Sequence, residues 1–64
     1  MNMTISSLLK HEFVGEDKEH VCDLMNDFVE NTENRHQLVK IHEVTFSKRE
    51  GKTVAVMEYY LGDD

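Results

Sequence analysis

The stretch from Gln37 to Leu61 holds two strand-like runs joined by a tight polar turn, Ser47-Lys48-Arg49-Glu50-Gly51-Lys52, and only one amphipathic helix precedes it. This pairing constrains the fold most, because one helix can cover only one face of a small sheet. The uncovered face is expected to keep apolar side chains, including Val39, Ile41, Val54 and Val56. Such a patch is buried most economically against a second copy, so these residues are the expected homodimer interface.

Size points the same way. A chain of 64 residues is one small domain, and at this length only about 60% of the unfolded surface is buried on folding. Small scaffolds therefore need a disulfide, a metal or association. Cys22 is the only cysteine, so an intramolecular disulfide is impossible and a reducing compartment is expected. No apolar run approaches the roughly 20 residues of a membrane span, and the first residues lack the basic start of a secretory signal. A cytoplasmic protein without membrane contact is expected, with 1–7 and 62–64 flexible.

Along the chain, Leu8 to Val14 suits a first strand ending at Gly15, although Ile5 and Leu8-Leu9 could also start a short helix. From Asp17 to about Asn31, Val21, Leu24, Met25, Phe28 and Val29 recur at helical spacing and form one stripe. Asp17 suits the N-cap, and Asn31-Thr32-Glu33-Asn34 supplies poor helix formers to end the helix. Leu38 to Ser47 and Thr53 to Leu61 complete a β-α-β-β order, with Gly51 as the left-handed residue of a hairpin loop. In the former run, Val44 and Phe46 have the opposite parity to Val39 and Ile41. Either that strand is apolar on both faces, or a bulge near His42-Glu43 shifts the register. The expected fold is α+β: a three-stranded antiparallel or mixed sheet with the helix on one face. Its core would be the helix stripe against Phe13, Val44, Phe46, Met57 and Tyr59.

Several strings resemble a known family. Glu16-Asp17-Lys18-Glu19, Asn26-Asp27-Phe28, Val44-Thr45-Phe46-Ser47 and Ala55-Val56-Met57-Glu58-Tyr59-Tyr60 look like the small sporulation-associated proteins of Gram-positive spore formers and their phages. The resemblance runs from Leu8 to Tyr60 and implies a small α+β protein. It carries no activity and no site residues.

Thirteen acids against seven bases give a formal net charge of −6. That balance argues against direct nucleic-acid binding, whose affinity rests on cations neutralising phosphates. Glu19, Asp23, Asp27 and Glu30 share the polar side of the helix. They are either a solvated surface or a docking face for a basic partner, most simply another protein. The turn cations Lys48, Arg49 and Lys52, with Arg35 and the rings of Tyr59 and Tyr60, are the alternative: a site for a small anionic ligand such as a nucleotide, assembled between subunits. His11, His20, His36 and His42 show no tight ligand spacing, so neither a metal nor another cofactor is expected. Cys22 flanks the apolar stripe and reads as a small core residue. With no catalytic motif, the chain is expected to be a non-enzymatic binding protein, a regulator or inhibitor.

Overall fold

A computed structural model describes residues 7–63 as strand β1 (Leu9–Gly15), helix α1 (Lys18–Glu33), strand β2 (Gln37–Arg49) and strand β3 (Lys52–Asp63). The three strands form one antiparallel sheet in the order β1-β3-β2. β1 and β2 therefore run in the same direction on either side of β3, and α1 carries the chain across. The α+β class and the β-α-β-β order are as the sequence predicts.

Local chemistry explains how each element starts and stops. The Asp17 carboxylate accepts from the His20 N–H at 2.8 Å, and the His20 Nδ1 accepts from the Glu16 N–H at 3.1 Å. Two backbone donors at the helix start are satisfied in this reciprocal way. The arrangement brings α1 close to the end of β1. A methyl group on Gly15 would lie 2.9 Å from His20 Nδ1 and 3.0 Å from Val21 Cγ2, so that close approach requires glycine. At its other end α1 runs through Asn31 and Thr32 to Glu33, two residues beyond the expected stop. There the Thr32 hydroxyl donates to the Phe28 carbonyl at 2.8 Å, which accommodates a poor helix former inside the last turn. His36, at φ 65°, then turns the chain into β2.

Arg49 pairs with Lys52, which leaves Glu50-Gly51 as a two-residue hairpin loop with φ of 52° and 80°. Two consecutive positive φ values give the turn whose twist matches the flanking strands. The strands flanking it are longer than expected. Gly62 and Asp63 lie in β3, paired with Leu38 and Gln37. Ile5 and most of the 1–7 segment lie outside the described residues, while Leu9 begins a strand rather than a helix.

A single irregularity in β2 decides which side chains face the helix. Ile41 pairs with Tyr59 and Glu43 with Glu58, leaving His42 as an extra residue without a strand partner. This bulge reverses the alternation, so Val39 and Ile41 fall on the same face as Val44 and Phe46. The strand is not apolar on both faces.

On that face Phe13, Val21, Ala55, Met57 and Tyr59 form the core, with Leu9, Leu24, Met25, Phe28, Val29, Val39, Val44 and Leu61 packed around them. Val21 and Met57 are fully buried, and each contributes roughly 1.5–3 kcal/mol by leaving water. His11, although exposed, borders this cluster: its ring stacks on Phe28 at 4.6 Å, and Phe28 meets Phe13 and Tyr59 edge-on at 5.6 and 5.5 Å. Phe46, an expected core residue, is instead 38% exposed. The Lys18 ammonium lies over its ring, 4.8 Å from the centroid.

Gly15→Ala tests the close approach of α1 to β1. Forcing a methyl group into this contact should cost about 1–3 kcal/mol, read as a lowered midpoint in urea unfolding with an unchanged slope.

Candidate functional site

The expected dimer interface does not exist as one face. Val39 packs against the core and Ile41 lies on the helix side, whereas Val54 and Val56 lie on the opposite face of the sheet. The bulge at His42 is the reason.

The open face is polar and largely self-satisfied. Arg49 stands beside Lys52 and Glu12 beside Val56, so the Arg49–Glu12 pair crosses β3 above Val54. The guanidinium donates to both carboxylate oxygens of Glu12, at 3.1 and 3.3 Å, and Val54 beneath is 1% exposed. Lys52 donates to Glu16 at 2.8 Å, and Lys10 lies 3.9 Å from Glu58. This face holds Lys10, Lys40, Arg49 and Lys52, four of the seven bases, against Glu12, Glu43, Glu58 and the Lys52-bound Glu16. The signs cancel there, and the whole formal charge of −6 resides on the rest of the chain. Val14 and Leu38, each 45% exposed, also lie on this face, but an antiparallel sheet can turn one mixed polar face to water.

Glu19, Asp23, Asp27 and Glu30 are all exposed, on the side of α1 turned away from the core stripe. No described cation lies within ion-pair distance of any of them. Like charges three or four residues apart on a helix destabilise it by a few tenths of a kcal/mol per pair. Tertiary packing of the opposite stripe therefore holds α1 in place.

The six residues of the anionic-ligand alternative do not converge within one chain. Arg49 and Lys52 are engaged by Glu12 and Glu16, and Lys48 donates to the Thr53 hydroxyl at 3.1 Å on the helix side. Arg35 is at the far end of β2, beside Gln37. Tyr59 is a core residue, and Tyr60 lies on the open face, where its ring meets His42 edge-on at 6.0 Å. Adjacent tyrosines in a strand necessarily point to opposite faces.

Among the described residues no three of His, Cys, Asp and Glu converge as metal ligands. Cys22 is half-buried on α1. No described helix is long and apolar enough to cross a membrane.

Two open grooves flank α1 where it passes β2. One, of about 240 Å³, is lined by Lys18, Phe46, Ser47, Lys48 and Thr53 at the start of the helix. The other, of about 520 Å³, is lined by Asn26, Val29, Glu30, Glu33, Asn34 and Ile41 at its end. Sequence reasoning missed both, because they depend on where the helix lies across the strands. Comparison with family models, curated proteins and solved structures returned no match.

The Glu16–Lys52 contact ties the β1–α1 corner to the hairpin. The hydrogen bond from Lys52, and then its charge, hold the Glu16 carboxyl below the usual glutamate range. A carboxylate lowered on folding adds stability above its unfolded titration range, and that stability is lost as pH falls through the folded value. Carbon-detected NMR titration should find Glu16 titrating below the usual glutamate range. In Lys52→Met it should return to the ordinary range.

Proposed function

We propose that this is a non-enzymatic binding protein that engages a positively charged surface of another protein through the acidic side of α1, and so regulates or inhibits that partner. One observation carries the reading: Glu19, Asp23, Asp27 and Glu30 are exposed and without a described cation partner, along a helix they destabilise. The segregation of charge supports it. The open sheet face is neutral, so the acidic field points outward from the helix side, where it would speed encounter with a basic partner. A host or defence protein is the target this reading takes. An anionic ligand has no comparable support, because the cations proposed for it are separated or already paired.

Asp23→Lys with Asp27→Lys separates binding from folding. Reversal turns the Glu19–Asp23 and Asp27–Glu30 repulsions into attractions while positions 23 and 27 remain a like-charge pair, so the variant should gain a few tenths of a kcal/mol. Affinity capture from lysate, followed by titration of the captured protein, should show a basic partner that binds the parent and is lost by the variant. Unchanged binding by the stabilised variant would refute the assignment.

A further inference from the structure

We infer that a second copy of the chain pairs antiparallel along the free edge of β2, extending the sheet across a two-fold axis and setting the two α1 helices side by side on one face. This interface is distinct from the open sheet face and meets the acidic side of α1 only at Glu30.

β2 is an edge strand of 13 residues, and one long side of its backbone has no partner among the described residues. Such an edge is a template for another strand. The bulge at His42 divides it into two regular halves, Gln37–Ile41 and Glu43–Arg49. Antiparallel pairing about the bulge sets each half against the other half of the second copy. On the helix side the same edge displays two large apolar side chains, Ile41 at 52% exposure and Phe46 at 38%. They occupy the two grooves beside α1, and each would be covered by the neighbouring copy.

Charge selects the occupant and its direction. The Phe46 groove carries Lys18 and Lys48, neither within ion-pair distance of a described carboxylate, at the positive end of the helix dipole. The Ile41 groove carries Glu30 and Glu33 at its negative end. The seam between α1 and β2 is thus positive at one end and negative at the other. A two-fold axis through the middle of β2 brings each positive end against the negative end of the other copy, at both ends at once. A parallel arrangement would oppose like charges. Isologous pairing of a self-complementary surface is the commonest route to a dimer.

Sedimentation equilibrium on the full chain, with hydrogen exchange as a second readout, tests this. The parent should dimerise, and amides of Gln37–Arg49 should gain protection as concentration rises. Lys18→Glu with Lys48→Glu, and separately Glu30→Lys with Glu33→Lys, should each weaken association by about tenfold or more, since the charge contacts at both ends of the interface become repulsive. An equimolar mixture of the two double variants should recover a heterodimer, which also shows that both are folded. A parent that stays monomeric at several hundred micromolar overturns the inference and leaves the edge open to another strand. A dimer indifferent to both double variants, or a mixture that fails to associate, overturns it equally.

Discussion

One unpaired residue, His42, determines which side chains of this protein meet. β2 carries apolar residues at both parities, and a regular strand would have sent Val39 and Ile41 to one side and Val44 and Phe46 to the other. The bulge turns both sets toward α1. The helix stripe then has strand residues to pack against along its length, with Val44 near the middle and Val39 toward the C-terminal end. The opposite face is left to polar residues and to Val14, Leu38, Val54, Val56 and Tyr60, with Val54 sealed by the Arg49–Glu12 pair.

From that arrangement follows a separation of charge unusual for so short a chain. The open face is neutral and, Lys40 and Glu43 apart, ion-paired, the outer side of α1 is acidic and unpaired, and the seam between α1 and β2 is polarised along its length. Exposed ion pairs contribute little to stability. Here the pairs determine what a partner would meet: a satisfied surface on one side, and free charge on the other.

What could be read from the sequence was local. The period of Val21, Leu24, Met25, Phe28 and Val29 marked α1, and the polar turn with Gly51 marked the hairpin. Both depend on residues close in the chain. The switch of parity between Ile41 and Val44 pointed to a bulge near His42-Glu43, and the structure has it there; the interface assignment for Val39, Ile41, Val54 and Val56 failed because it kept the unshifted register. The ion pairs that seal the open face link Arg49 to Glu12 and Lys52 to Glu16 across 37 and 36 positions, separations at which sequence patterns carry no information. The scattered cations of the anionic-ligand reading looked close for the opposite reason: near neighbours in a hairpin alternate between two faces. The acidic residues of α1 were legible as a face, because helical spacing alone places them together.

Deleting His42 tests the central claim most directly. Because the bulge contains one extra residue, its removal should leave the existing pairs, Ile41 with Tyr59 and Glu43 with Glu58, in an unbroken ladder with Val39, Ile41, Val44 and Phe46 still facing α1. The account predicts cooperative unfolding with stability changed by no more than about 1 kcal/mol, and nuclear Overhauser contacts preserved between Val39 and Leu61 and between Val44 and Met57. If β2 were instead continuous, the deletion would move Val39 and Ile41 to the other face. Loss of cooperative folding, or loss of the Val39–Leu61 contact while Val44–Met57 survives, would contradict the account.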